Sequence, residues 1–188
     1  LHSATKYLNG HSDLAAGAAI GEASAVEQVR LKANHLGGML DPHACFLLNR
    51  GMKTLAVRLR QQNETAHRLA TFLSGHERVT RVNYTGLEDS DDHLRACRPL
   101  DGSGGMLSFE LDGDVAIAER FMRRLEIPLI APSLGGVETL VTRPATTSHS
   151  GMSPAERAEA GVSDSLIRLS VGLESADDLI SDLSHALE

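Results

Sequence analysis

Aromatic residues are scarce in this chain, which has no tryptophan, two tyrosines and four phenylalanines, 3% of its 188 residues. Base stacking needs aromatic faces and phosphate contact needs a basic stripe. With 18 basic against 25 acidic side chains and a net charge of −7 spread along the sequence, neither is in place, and nucleic acid is excluded as a partner. Cysteine is almost as rare. Cys45 and Cys97 lie far apart and form no metal-ligand pair, and a disulfide is not expected in a reducing compartment; Cys45, followed by Phe46-Leu47-Leu48, reads as a buried thiol. No apolar run approaches the length of a membrane span and the N-terminus lacks a basic-then-apolar leader pattern, so no membrane partner is expected and the cytoplasm is the expected location. The nine histidines include His2 and His11, near Asp13, but without the helical or hairpin spacing of metal ligands, so no metal is expected. Nor is there a G-x-S-x-G elbow, which removes a hydrolase reading of Ser148-His149-Ser150.

What is present is enough apolar material, 41%, for one sizeable core or two small ones. Residues 14–21 are small, apolar and bounded by glycine, which predicts a buried strand. Residues 24–36 read as a helix closed by Gly37-Gly38, and Asp41-Pro42 opens another with a capping carboxylate and a proline at the first helical position, interrupted at Arg50-Gly51. The longest helical pattern runs over 53–73, with Leu55, Leu59, Ala66, Leu69, Ala70 and Leu73 on one face. Val79 and Val82 suggest a short strand, and 83–105 read as a surface connection in which Gly102-Ser103-Gly104-Gly105 is a turn rather than a phosphate loop. Beyond it the pattern predicts a strand over 106–111, a helix over 115–125, strands over 127–130 and 137–142, a short helix from Pro154, a strand over 166–171 and a helix over 176–187 capped by Ser175 and Asp178. Alternation of strands and helices in this half implies a small α/β layer domain.

Two positions stand out chemically. Lys6 lies in Ser3-Ala4-Thr5-Lys6-Tyr7-Leu8-Asn9-Gly10-His11-Ser12-Asp13, where His11 is expected to hold the loop by a backbone hydrogen bond. Arg168 is the single charge in Leu166-Ile167-Arg168-Leu169, and a guanidinium on such a strand needs an anion, either a carboxylate of its own domain or a ligand.

The Lys6 run, Arg50-Gly51-Met52-Lys53-Thr54-Leu55, Pro132-Ser133-Leu134-Gly135-Gly136-Val137-Glu138-Thr139-Leu140 and Ile167-Arg168-Leu169-Ser170-Val171-Gly172-Leu173-Glu174 together resemble, in order and separation, the Cys/Met-metabolism family of pyridoxal-phosphate enzymes. The resemblance implies a fold-type I α/β architecture, residues 1–76 being the end of the large cofactor domain and 77–188 the small C-terminal α/β domain. It implies that Lys6 holds pyridoxal 5′-phosphate by its amine. Ser3 and Thr5 carry short hydroxyls suited to the phosphate ester. Arg168 is implied as the bidentate clamp for the α-carboxylate of a sulfur amino-acid substrate, with Ser133 and Ser148 near it. Elimination or replacement at a C–S bond is the implied reaction, as in methionine or cystathionine γ-lyases. The alternatives are a cystathionine γ-synthase acting on an acylated homoserine and cysteine, an aminotransferase of the same fold, and a noncatalytic binding or assembly module. Many cystathionine-handling members have a glutamate before the serine of the Ser133 segment; here it is Pro132. The family also implies a homotetramer and a large segment before the lysine, supplying the ring-stacking and pyridine-nitrogen partners; only five residues precede Lys6, so an N-terminal half of the enzyme is expected as a partner.

Overall fold

The structure, a computed structural model, describes residues 1–88, 93 and 100–188; Cys97 and part of the 83–105 connection lie outside the described residues. The chain divides into two compact units, Leu1–Val57 and Arg58–Glu188.

The first unit opens with strand β1 (His2–Ser3), a wide turn over Ala4–Leu8 and strand β2 (Gly17–Ala18), antiparallel to β1 with Ser3 opposite Gly17. The buried strand expected over 14–21 is therefore two residues of a ribbon, and Ile20 is 72% exposed, since so short a pair buries little of its neighbours. Helix α1 (Ala23–Leu36) stops at Gly37, whose φ of 75° suits glycine. Helix α2 (Pro42–Met52) starts as expected, the Asp41 carboxylate accepting from the N–H groups of His43 at 2.9 Å and Ala44 at 3.1 Å. The interruption expected at Arg50-Gly51 is absent. Gly51 stays helical because the backbone of Asn9 passes against it, where a Cβ would collide with the Asn9 carbonyl. Cys45, expected to be buried, is exposed: Gly51 is the buried residue of α2, and apolar neighbours in sequence point in different directions around a helix.

Helix α3 (Leu55–Ser74) contains the boundary between the units. Its buried stripe is Arg58, Gln62, Thr65, Ala66, Leu69, Ala70 and Leu73, so the helical period was legible but three of these seven inward residues are polar. The second unit is built on five strands in the spatial order β3 (Val79–Asn83), β4 (Met106–Leu111), β7 (Leu166–Ser170), β6 (Leu140–Thr142), β5 (Leu129–Ile130), with β5 and β6 parallel and the other pairs antiparallel. Among the described residues the unit also contains helices α4 (Val115–Arg124), α5 (Pro154–Glu159) and α6 (Ala176–Leu187). Strand registers assign the faces. Leu107, Leu169 and Val141 align across β4, β7 and β6, and Phe109 aligns with Ile167; all belong to one core with α3, α4 and α6. Phe109 and Phe121 meet edge to face at 5.7 Å, a contact worth about 0.5–1.5 kcal/mol beyond burial.

The strands expected over 127–130 and 137–142 begin later, at Leu129 and Leu140: the N–H groups of Glu126 and Ile127 donate to the Asp182 carboxylate, and positive φ at Ser133 (106°) and Gly135 (77°) turns the chain between the two strands into a loop. Tyr84, read as part of a surface connection, is 4% exposed and belongs to the core, its hydroxyl donating to the Gly104 carbonyl at 3.0 Å. Asp114 caps α4 by accepting from Ala116 and Ile117, and Ser175 caps α6 by accepting from Asp178 N–H at 3.4 Å. Among the described residues no helix is long and apolar enough to cross a membrane.

Candidate active site

Lys6 sits inside the wide turn closed by Asn9 N–H donating to the Ala4 carbonyl at 3.1 Å, a five-residue step of the kind often found at functional positions. Its backbone leaves the helical region (φ −92°, ψ −128°), and its own carbonyl accepts from Gly10 N–H at 2.8 Å. The backbone bearing the amine is thus fixed on both sides, while the residue itself is half-buried. Asn9, fully buried, donates from Nδ2 to Asp13 at 2.8 Å, and His11 Nδ1 donates to the Asn9 carbonyl at 2.7 Å, as expected for a loop-holding histidine. His11 and Asp13 line a cavity of about 310 Å³ with Arg50, Gly51 and Thr54, so two of the four stretches that carry the family resemblance meet within the first unit.

Ser3 is exposed at the end of β1. Thr5 differs: its hydroxyl accepts from Ala16 N–H at 2.9 Å and donates to the Ala16 carbonyl at 3.3 Å, tying the turn to the residue before β2. A half-buried primary amine on a fixed backbone and, three residues before it, an exposed hydroxyl are groups of the kind that an aldehyde-bearing phosphate ester needs at its two ends, and the Thr5 proton would first have to leave the Ala16 carbonyl.

On the sheet face opposite the helical core, the register sets Asn83, Ser108, Arg168 and Thr142 in a row across β3, β4, β7 and β6. Arg168 owes its place to alternation along β7: Ile167 and Leu169 point into the core, so Arg168 points away from it. Its Nη2 donates to the Ser133 carbonyl at 2.8 Å, its Nε is buried without a hydrogen-bond partner, and no carboxylate among the described residues pairs with it. Burial lowers its pKa from the ordinary value, but an arginine keeps its charge at any working pH. Beside it Asn83 Nδ2 donates to Ser108 Oγ at 3.1 Å, and Thr142 Oγ1 is buried without a partner. The row is a polar strip with open donor capacity around one cation, which is the chemistry of an anion site.

Ser133 is brought to Arg168 by its main chain: the carbonyl, not the hydroxyl, makes the contact. A serine at φ 106° costs about 1–3 kcal/mol and persists only where neighbours over-determine it. They do so here. Gly135 N–H donates to Ser170 Oγ at 2.9 Å, Gln62 Nε2 donates to the Gly136 carbonyl at 2.7 Å, and the Glu174 carboxylate accepts from Thr139 N–H at 2.7 Å and Thr139 Oγ1 at 2.6 Å. These four side chains were not singled out from the sequence. Gln62 could have been, as a polar residue one turn from Ala66 on the inward stripe of α3; Thr139, Ser170 and Glu174 lie inside recognised segments but look like ordinary strand-end residues. Ser148 is exposed and hydrogen-bonded at 2.8 Å to its neighbour His149, and nothing in the described structure links it to Arg168. A cleft of about 330 Å³ between β3–β4 and α5 contains no expected site residue, and its arginines are already paired, Arg81 with Glu110 at 3.9 Å and Arg157 with Asp164 at 3.0 Å.

A profile of the family described as Cys/Met metabolism PLP-dependent enzyme matches residues 1–188. Cystathionine gamma-synthase 1, chloroplastic, of Nicotiana tabacum is 45% identical over 188 residues, which are 100% of this chain and 35% of that protein. L-methionine gamma-lyase of Pseudomonas putida is 42% identical over 190 residues, covering 100% of this chain and 48% of that protein. The crystal structure of cystathionine gamma synthase from Xanthomonas oryzae pv. oryzae in complex with aminoacrylate and cysteine matches with a TM-score of 0.94 and 44% identity, over 99% of this chain and 48% of that one. The chain thus spans between about a third and a half of the length of these relatives. The expected fold-type I α/β class is the fold of these neighbours, and the match over every residue places the chain in the Cys/Met-metabolism family of pyridoxal-phosphate-dependent enzymes.

Proposed function

We propose that the protein carrying this chain cleaves or exchanges a C–S bond of a sulfur amino acid with pyridoxal 5′-phosphate. Within the second unit the observation that carries the reading is Arg168: a partly desolvated guanidinium with a carbonyl neighbour, an unpaired Nε and no acid among the described residues, on a strand that the family match includes. A planar fork in that state binds a carboxylate through two parallel hydrogen bonds. Ser133 shapes the clamp through its carbonyl, and Ser148 is proposed to reach the same carboxylate once His149 releases its hydroxyl. The cofactor, when bound, supplies an electron sink for charge developing at the substrate α carbon. Lys6 Nζ would hold it, be released when the substrate's amine takes its place, and as the free amine take the α-proton; on its flexible stem the same amine would carry protons between adjacent carbons. Ser3, and Thr5 after turning from Ala16, hold the phosphate.

Residues 1–76 are proposed as the end of the cofactor domain and 77–188 as the small domain, with the remaining walls of the pocket supplied by protein outside these residues, in a cytoplasmic homotetramer. Pro132, where many cystathionine-handling members carry glutamate, tilts the substrate towards simpler amino acids such as methionine, homocysteine or cysteine and the chemistry towards elimination. A second reading, γ-replacement on an acylated homoserine by cysteine, is favoured by the synthases at 44–45% identity.

Borohydride reduction of the complete protein followed by peptide mapping is expected to leave a pyridoxyl label on Lys6; a label on another lysine overturns its role. Incubation with methionine, cystathionine, homocysteine, cysteine, and an acylated homoserine plus cysteine then separates the reactions. Ammonia and a 2-oxo acid mark elimination and cystathionine without them marks replacement. Amino-group transfer that leaves the side chain intact refutes C–S chemistry, and a protein that binds no cofactor is the noncatalytic module.

A further inference from the structure

The loop that presents the Ser133 carbonyl to Arg168 leaves the sheet and returns to it through one polar knot. Thr139 donates from both N–H and Oγ1 to the Glu174 carboxylate, at 2.7 Å and 2.6 Å, and its Oγ1 accepts from Gly172 N–H at 2.9 Å. Leu173 N–H closes the same junction on the Val137 carbonyl at 2.8 Å. Packing there leaves no slack: a Cβ on Gly172 would collide with the Val137 carbonyl. Thr139, fully buried, begins the approach to β6, while Gly172 and Glu174 follow β7, the strand that carries Arg168 four residues earlier. The knot therefore sets the distance between the end of β7 and the end of the 131–139 loop, and with it the position of Ser133 relative to the guanidinium.

We infer that Thr139 and Glu174 are positioning residues of the carboxylate clamp, holding the Ser133 carbonyl on one side of Arg168 so that the guanidinium is turned to offer its remaining N–H groups to the substrate carboxylate. The two side chains touch no substrate. A part-buried charge-assisted pair of bonds fixes geometry more firmly than neutral loop contacts, because breaking it leaves a carboxylate without its donors. The inference rests on the proposed role of Arg168.

The test is calorimetric titration of the complete cofactor-loaded protein with glycine, which carries an α-carboxylate, and with methylamine, which does not. Thr139→Val keeps shape and removes the hydroxyl; it is expected to weaken glycine binding roughly tenfold, the worth of a lost charge-assisted hydrogen bond, and to leave methylamine binding and cofactor absorbance unchanged. Thr139→Ser, which restores the hydroxyl, is expected to return glycine binding to within about twofold of the parent. Should Thr139→Val fail to fold, Glu174→Gln carries the same expectation of a selective loss for glycine. Arg168→Lys is measured alongside. If it weakens glycine binding while a folded Thr139→Val or Glu174→Gln does not, or if these variants weaken both ligands equally, the positioning role is overturned and the reading of Arg168 stands. If Arg168→Lys binds glycine like the parent, the reading of Arg168 falls and this inference falls with it.

Discussion

Leu1–Val57 and Arg58–Glu188 are held together by different forces. In the first unit Ala4 is the buried apolar side chain, while Ile20, Leu36, Met39 and Phe46 are 60–84% exposed. In the second, one continuous core joins α3, α4 and α6 to a sheet face through Phe109, Leu169, Leu179 and their neighbours. The unit with Lys6 is specified by backbone hydrogen bonds and one close approach, the unit with Arg168 by apolar packing beneath a polar face. The amine is thus carried on a locally locked turn, the guanidinium on a strand whose position is set by a core.

The widest gap is expected between two phenylalanines. Phe109→Ala empties a fully buried site and should destabilise the protein by about 3–5 kcal/mol, whereas Phe46→Ala, at an exposed position of α2, should stay within about 0.5 kcal/mol. Urea denaturation measures both, and equal losses would break the comparison. Next comes Gly51→Ala. Its methyl meets the Asn9 carbonyl, and the expected loss of about 1–3 kcal/mol should be read by faster proteolysis within residues 1–57, with protection of β4 and β7 unchanged. Capping supplies a finer contrast. Asp41→Ala and Asp114→Ala remove equivalent N-caps worth about 1 kcal/mol each, yet only Asp114→Ala, at a helix joined to the core, should shift the global transition; Asp41→Ala should speed amide exchange in the first turn of α2. The smallest effect concerns the capping box of α5. Hydrogen bonds from the Ser153 backbone and then its side chain hold the Glu156 carboxyl below its ordinary pKa. A folded pKa below the unfolded one gives stability that is present above the unfolded value and fades as pH falls through the folded one. Glu156→Gln should therefore cost on the order of a degree in Tm at neutral pH, and the gap should close in acid, checked by thermal melts across that range.

Where one physical rule dominated, the sequence was readable. Period-2 alternation placed β4 and β7, helical period placed α3, and Asp41-Pro42 placed the start of α2. The misreadings fall where a distant contact decided. Gly51 looks like a breaker until Asn9 is seen lying against it. Residues 137–139 look like strand until Glu174 and Gly172 take the hydrogen bonds that a ladder would have used. Cys45 and Phe46 look buried because they are apolar, which is not evidence of a covering surface. Of the candidate residues, Arg168 could be singled out because its charge contradicts its strand, and Lys6 because its run resembles the family's lysine segment. Thr139 and Glu174 could not, since their roles exist only as a pairing across 35 residues, and Gln62 was legible only as a polar residue on an inward stripe, not as the partner of Gly136 across 74.

Among the described residues Arg168 leans on a carbonyl rather than a carboxylate, which leaves a positive charge without an acid partner in a chain whose overall charge is −7. Distant acids deter dissolved anions, but added salt screens that deterrence first and leaves the shorter-range attraction standing. On the proposed role of Arg168, buffer choice is a variable of the site: sulfate or phosphate at high concentration should occupy the guanidinium and compete with an amino-acid substrate, while a bulky zwitterionic buffer should leave it open.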